Sequence, residues 1–392
     1  MKRFLSLLLA VLLLAAMYGC GGQTVQEDPM EEPTLPTEPD YTAGEADIQQ
    51  LEKLYEGRQP YQGELHDHAD TGGTSDGKMK LEDWKMNLLV NDMDFATFAD
   101  HRQVLHMRLP EWDNNLFIGG TEAATTITDS QATQNNLHYN MLFSAPEQLE
   151  TVLNTFPLKF AFFQDHFSYL SFTTEEFEAL AKFVTENGGF FVHVHPKGKS
   201  YMQSDNPLDY CFGDYTGIEV LCGFYGNMTA QENQDAYKLW TDLLALGKKV
   251  YATSGSDSHN ASNTVSLTTI YAESADAPTY LKRVKQGDFT AGPVGIRMSI
   301  GDTCTGGTTA FAGKRLVISV GQFHSRECIP GHTYRIDLYS DKGLVTSQEI
   351  PGTGVSYMAL DADETAKFYR AEVYDVTSDY QVAIGNPIWN EG

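Results

Sequence analysis

Gly63-Glu64-Leu65-His66-Asp67-His68 starts as a short β-rich run and ends in two imidazoles at i and i+2. On a strand those two rings point to one face and can bind one metal ion. Working outward, further β-rich runs recur at 95–99, 116–119, 139–143, 190–194, 217–221 and 250–253. Each has a histidine or carboxylate at or beside one end, except 217–221, which carries Glu219 internally. Helical patterns lie between several of them. Residues 174–187 open with a Thr and Glu175/Glu176 in the first turn and close on Gly188-Gly189, and 229–246 close on Gly247. The alternation predicts parallel α/β layers closed into a barrel, with chemistry at the C-terminal ends of the strands.

Past Gly295 the texture changes to alternating β runs at 316–320, 334–339, 355–360, 368–376 and 380–384, with no helical signal. This predicts a small antiparallel β-sandwich appended to the barrel. The expected layout is a leader at 1–20, a tether at 21–45, an α/β barrel at 46–294 and an all-β sandwich at 295–392.

The 392 residues include 53 acidic and 27 basic side chains, a formal charge of −26, with 41% apolar content. The chain is long enough for two or three structural units and too apolar for wholesale disorder. No Lys/Arg cluster longer than a pair offsets the acidity, so a nucleic-acid partner is not expected. Lys2 and Arg3 precede an apolar run at 4–17 that as a helix reaches about 21 Å, short of the roughly 30 Å hydrocarbon core. It reads as a signal peptide. Met17-Tyr18-Gly19-Cys20 resembles a bacterial lipobox with Cys20 as the lipidated terminus, although Leu and a small residue are favoured where Met17 and Tyr18 stand. Residues 21–45 hold four prolines, seven carboxylates and no basic residue, the composition of a solvated tether. The expected location is the outer face of a bacterial cell membrane, through the lipid anchor alone, or the medium if Cys20 is not modified. Export would permit a disulfide such as Cys304–Cys328; free thiols at Cys211, Cys222, Cys304 and Cys328 fit the spacings equally well.

Nine of the 11 histidines fall between His66 and His259. The same span holds Ser75-Asp76-Gly77, Ala99-Asp100-His101, Glu122 beside Gly119-Gly120, His138, His193-Val194-His195-Pro196 and Gly255-Ser256-Asp257-Ser258-His259. Imidazole and carboxylate without thiolate suit Zn, Mn or Fe, and several anionic ligands offset two or three dications. Ions about 3.5–4 Å apart can share a water, lower its pKa to near 7 and clamp both oxygens of a displacement. No GxSxG elbow or Cys/His arrangement argues for a side-chain nucleophile.

These motifs, in this order, resemble the polymerase and histidinol phosphatase (PHP) domain family: an HxH followed by SDG, a DH strand end, an isolated Glu with a later His, then HP and GSDxH. The resemblance spans roughly residues 61–295, and the closing Gly385-Asn386-Pro387-Ile388 looks like that of exported members with an added β domain. It implies a distorted (β/α)7 barrel with up to three metal ions. His66 and His68 would hold the first ion with Asp257 and with Glu122, which bridges to a second ion completed by His138 and His195. Asp76, His101 and His259 would hold the third. Asp257, His259, Glu122 and His195 are the residues expected to act catalytically.

Three positions depart from the family pattern. Glu64 stands where Asp is usual and is expected to orient rather than bind. About three extra residues, with Gly72-Gly73, separate His68 from Asp76 and bear on the third site. Lys197 follows the HP pair where Arg is common; as a point charge it could still meet a phosphate. Lys197, Lys199 and Arg102 are the candidates for substrate contact, against an ordinary surface role, and His166 is a candidate for the mouth of the site. His193 reads as a core histidine or a support for a ligand, and His106, His324 and His332 as structural or solvent-exposed. Asp100 reads as an acceptor for an imidazole N–H.

The expected activity is metal-dependent hydrolysis of a phosphoester, a phosphomonoester favoured, by hydroxide shared between ions. The alternatives are a carbamate, amide or carboxylic-ester hydrolase on the same centre, and a non-catalytic cell-surface binding lipoprotein.

Overall fold

In chain order, α1 (Glu45–Leu54) and β1 (Gln59–Gly63) lead to α2 (Leu81–Val90), β2 (Ala96–Phe98), β3 (Phe117–Thr126), β4 (Asn136–Phe143) and α3 (Pro146–Thr155). The hairpin β5 (Phe160–Phe162) and β6 (Phe167–Tyr169) follows, then α4 (Thr174–Glu186), β7 (Phe190–Val194), β8 (Gly217–Cys222), α5 (Gln231–Ala245), β9 (Tyr251–Gly255), β10 (Thr268–Ala272), α6 (Ala277–Lys285) and β11 (Phe289–Ala291). This computed structural model describes residues 41–391 except 104, 164, 165, 261–265, 328 and 330. The leader, Cys20, the tether up to residue 40 and Cys328 lie outside the described residues. No described helix is long and apolar enough to cross a membrane.

The barrel is built from the sheet β2-β3-β4-β7-β8-β9 and is closed by residues 64–68. Asp67 bridges in parallel to Phe98 on one side and Ser258 on the other. The closure is hydrogen-bonded from Asp67 N to Thr97 O at 2.9 Å, from His68 N to Ser258 O at 2.8 Å and from Asp257 N to His66 O at 2.8 Å. The HxH segment therefore forms a seventh stave, with His66 and His68 held by backbone bonds on both flanks. Every residue of β7, β8 and β9 is buried, as expected of central strands covered on both faces. Outside, α4 starts at a capping box: the Thr173 hydroxyl accepts from Glu176 N, and the Glu176 carboxylate accepts from Thr173 N at 2.8 Å. Such a box contributes about 1 kcal/mol.

Parallel layering fails at one place. β4 runs antiparallel to both β3 and β7, because a tight excursion at 127–135 returns the chain directly beside β3 with no crossover helix. The reversal also starts β4 at Asn136, earlier than the sequence pattern indicates, and brings His138 inside the strand.

β12 (Gly295–Ile300), β13 (Thr303–Cys304), β14 (Thr308–Thr309), β15 (Arg315–Gly321), β16 (Thr333–Ser340), β17 (Gly343–Pro351), β18 (Ser356–Asp361), β19 (Phe368–Asp375), β20 (Tyr380–Gly385) and β21 (Ile388–Asn390) form the C-terminal region. One sheet orders β13-β12-β15-β18; the other orders β1-β10-β11-β20-β19-β16-β17, with β14 and β21 attached beside β19. Ile296, Met298, Ile318 and Val320 of the first sheet share a buried core with Ile336, Leu338, Ala371 and Val373 of the second. The second sheet takes β1, β10 and β11 from the chain before residue 295, so the sandwich continues into strands that support the barrel. Asn386, fully buried, joins them further: its Oδ1 accepts from Ala252 N at 2.8 Å and its Nδ2 donates to Phe289 O at 3.3 Å.

Residues 41–45 are docked rather than tethering: Ala359 N donates to Tyr41 O at 2.9 Å and Thr42 bridges to Met358. Among the described residues Cys211, Cys222 and Cys304 form no disulfide with one another.

Candidate metal centre

Glu122 sits inside β3 with 1% of its surface exposed, and both of its carboxylate oxygens face imidazoles. Oε1 is 2.5 Å from His138 Nδ1 and 3.1 Å from His195 Nε2. Oε2 is 3.3 Å from His66 Nε2 and 3.2 Å from His68 Nε2. Asp257, just past β9, brings Oδ1 to 3.1 Å from His68 Nε2 and 3.8 Å from His66 Nε2. A third group forms around Asp76, whose Oδ1 is 3.1 Å from His259 Nε2, 3.7 Å from His101 Nε2 and 3.9 Å from His68 Nδ1. All nine sequence-predicted ligands thus converge, in three groups whose donor atoms lie within 4.8 Å of one another. The extra residues around Gly72-Gly73 do not displace Asp76. Gly72 and Gly73 take positive φ values of 82° and 61°, which turns the insertion back on itself. His68 belongs to two of the groups, a sharing the motif pattern does not show.

The candidate ligands after strand ends are aimed by unusual backbone. His195 and Asp257 have φ of 31° and 49°, and Arg102 beside His101 has 55°. Left-handed conformations cost a non-glycine residue about 1–2 kcal/mol and persist where surrounding bonds fix them.

The electrostatics match a site made for cations. Burial alone would strip the proton from His66, but Glu219, Asp257 and Glu122 outweigh it and hold its pKa well above the ordinary value. Burial likewise opposes protonation of His68, yet Asp257 and Glu122 push it up to about 10. Glu122 is held well below the usual carboxylate range by His138, His195, His66 and His68 despite its burial. Asp76 falls to about 2, its burial overcome by His259, His101 and His68. Protons on these rings stand where divalent ions would neutralise the same carboxylates. The donor set of six imidazoles and three carboxylates fits Zn, Mn or Fe. The buried His68 Nδ1 and His195 Nδ1 make no hydrogen bond among the described residues.

The residues around the ligands divide differently from expectation. Glu64 is buried beside Asp67, where burial pushes its carboxyl up to about 7, and it contacts no ligand. The carboxylate that orients His66 is Glu219, 3.0 Å from Nδ1. Glu219 is the single acidic residue in the buried run Gly217–Cys222, the one signal in the sequence that marks it. Asp100 accepts from Ala69 N at 2.8 Å and from the Thr71 hydroxyl rather than from an imidazole, so it shapes the loop after His68. His193 is a core histidine: its Nδ1 lies 3.2 Å from Tyr210 O, and burial pushes its pKa down to about 3. His106 is buried edge-on to Trp112, His324 Nε2 lies 3.1 Å from Asp92 O, and His332 Nδ1 lies 2.8 Å from Asp375 Oδ2.

Of the substrate-contact candidates, Arg102 is half-buried beside His101 and pairs with no carboxylate among the described residues. Its carbonyl accepts from Phe167 N at 2.9 Å, which sets the β5–β6 hairpin beside His101, and His166 on that hairpin stacks on Phe163 with ring centroids 5.0 Å apart. Lys197 places Nζ 3.8 Å over the Tyr210 ring and lines a polar cavity of about 660 Å³ with Gln131, Gln203 and Asp209, not the carboxylate cluster. Lys199 is 90% exposed and paired with Glu232 at 3.3 Å, a surface role. Sequence reasoning missed Tyr201, whose ring lies 4.6 Å from that of His138 and 4.4 Å from that of His195.

No family model and no curated protein matches this sequence. Among solved structures, the chain is similar to a two-domain protein from Bacteroides vulgatus "containing predicted PHP-like metal-dependent phosphoesterase", at 12% identity and a TM-score of 0.40, over 85% of this chain and 96% of that one. It is also similar to the lesion-specific endonuclease Q of Pyrococcus furiosus at 11% identity and a TM-score of 0.39, over 58% of this chain and 56% of the other. An endonuclease Q complex with a 27-mer duplex carrying an abasic lesion gives 13% identity and a TM-score of 0.40, over 58% of this chain and 57% of that one.

Proposed function

We propose that this chain is a PHP-type metal-dependent hydrolase that cleaves phosphoesters, phosphomonoesters favoured. The observation that carries the reading is Glu122, whose two oxygens each face a different pair of imidazoles in a buried pocket. His66, His68, Asp257 and Glu122 would hold one ion, Glu122, His138 and His195 a second, and Asp76, His101 and His259, with His68 close by, a third. Bound dications supply water activation near neutral pH and charge stabilisation at phosphoryl oxygens. The protein's own part is to keep the carboxylates ionised and to place acceptors behind two of the rings, Glu219 Oε1 at 3.0 Å from His66 Nδ1 and the Asp257 carbonyl at 3.0 Å from His259 Nδ1. Arg102, half-buried and paired with no carboxylate among the described residues, offers a fork of donors for a phosphoryl group.

Protein comprising residues 41–392, supplied with Mn or Zn, should release phosphate from an aryl phosphate and lose that activity to chelator. Turnover of aryl carboxylic esters alone would favour the rival carbamate, amide or ester chemistry, and metal binding with no turnover at all would favour a binding protein. A duplex DNA with an abasic site belongs in the same panel, since cleavage of it would overturn the exclusion drawn from the charge of −26.

We also propose that the protein is exported and anchored through Cys20, on the strength of the apolar run at 4–17 and the sequence Met17-Tyr18-Gly19-Cys20. Cys20→Ser should move it from the membrane fraction to the medium; an unchanged distribution contradicts the anchor.

A further inference from the structure

Glu219 is 2% exposed in the middle of β8, in a run whose other members are Gly217, Ile218, Val220, Leu221 and Cys222. A carboxylate buried in such a strand costs several kcal/mol unless donors compensate it. Two N–H donors do, and they belong to two different ligand groups. Oε1 is 3.0 Å from His66 Nδ1, and Oε2 accepts the backbone N–H of His195 at 2.8 Å. His195 is the ligand with φ of 31°, so its peptide needs an external bond to stay in the left-handed region. The pairing of β8 with β9 shifts register between Glu219 and Leu221, an irregularity beside the carboxylate. The backbone of Gly255 passes close enough that a Cβ there would lie 3.1 Å from Glu219 Oε1.

We propose that Glu219 is a positioning residue shared by the two groups that meet at Glu122, fixing the His66 ring with its proton on Nδ1 and anchoring the left-handed backbone of His195. This inference rests on the metal-centre reading above and deepens it. With the proton on Nδ1, Nε2 is left with a free lone pair, and Nε2 is the atom that faces Glu122 and Asp257. One carboxylate thereby sets a ring tautomer in the first group and a main-chain conformation in the second. Carboxylates behind metal-binding imidazoles act in this way, and their loss costs 10–100-fold in affinity.

The substitution Glu219→Gln separates this role from simple packing. It keeps the volume but supplies one acceptor and one NH2 where two N–H donors converge. If the amide NH2 faces His66, the ring proton moves to Nε2 and blocks the ligating atom. If it faces His195 instead, that peptide loses its acceptor. Either outcome should raise the dissociation constant for at least one of the Mn or Zn equivalents by 10–100-fold in chelator-competition titrations of the full-length protein. Nitrogen-15 spectra of the wild-type protein with Zn should show His66 protonated at Nδ1, a readout that does not depend on how the variant folds. Unchanged affinity for every equivalent in a folded Glu219→Gln variant, or a His66 signal deprotonated at Nδ1, overturns the proposal. If the wild-type protein takes up no Mn or Zn, the metal-centre reading itself fails, and the proposal with it.

Discussion

Gly255 lets His66 and Glu219 meet. A Cβ at this position would fall 2.4 Å from His66 Cβ and 2.9 Å from His66 N, contacts that require the backbone of the closing segment to move. Gly255→Ala should therefore cost about 1–3 kcal/mol in stability through overpacking. It should also weaken metal uptake more than tenfold, because the ring that carries Nε2 is displaced. Thermal melts with and without Mn check both; a variant that melts and loads like wild type would show that the closure has slack. At this scale most of the candidate ligands were legible because they stand in short local patterns, HxH on one face of a strand, DH and GSDxH at strand ends, whereas Glu122 and His138 stand alone and were placed by their order among these motifs. Glu219 and Tyr201 were not, since what makes them matter is a partner on another strand or loop. Glu64 misled for the matching reason. It is adjacent to the motif in sequence, but its side chain interacts with Asp67 and Ser256.

Helix α1 shows what patterning does and does not carry among the elements. Its sequence, EADIQQLEKL, fully buries only Leu51, with Ile48 and Leu54 half-buried, so the apolar stripe by which a helix is recognised is short. Leu51 shares a small buried core with Tyr55, Val317 and Ala359, and charge on the sandwich adds to the hold. Arg297 donates to both oxygens of Glu52, at 3.0 and 2.5 Å, with the Tyr357 hydroxyl at 2.9 Å, and Arg315 donates to Asp47 Oδ2 at 3.0 Å. These bonds, Arg297 first for Glu52 and Arg315 first for Asp47, lower both carboxyl pKa values below the ordinary 4.5 and 3.8. Depressed acid pKa values contribute stability that is complete above the unfolded values and lost as pH falls through the folded ones. The docking should thus weaken as pH drops below about 4.5, and Glu52→Gln should cost about 1 kcal/mol at pH 7, since the pair is partly solvent-screened. Melts between pH 3 and 7 test this: the gap between wild type and variant should close in acid, and a constant gap would count against the pair. The β4 reversal was hidden for a related reason. A short apolar run announces a strand but not its direction. Here direction is set by the brief 127–135 excursion, too short for a crossover helix.

For the whole molecule, the order of barrel and then sandwich was readable from the change of texture near residue 295, but the continuity between them was not. β11 pairs with β20, and Asn386 bonds to Ala252 and Phe289, links that join residues far apart in sequence. The acid excess resolves in part at this scale. Asp76, Glu122 and Asp257 converge on six imidazoles, a concentration of donors that an overall charge of −26 does not reveal and that suits several cations. The central claim is that this convergence is a metal centre organised by Glu122. The most direct test is elemental analysis of the purified protein after loading with Zn or Mn and removal of loosely bound ions, beside Glu122→Gln prepared in the same way. Two or three equivalents in the wild type, with at least one lost in the variant, is the predicted result. Less than one equivalent in a correctly folded wild-type protein, or equal content in both, would contradict it.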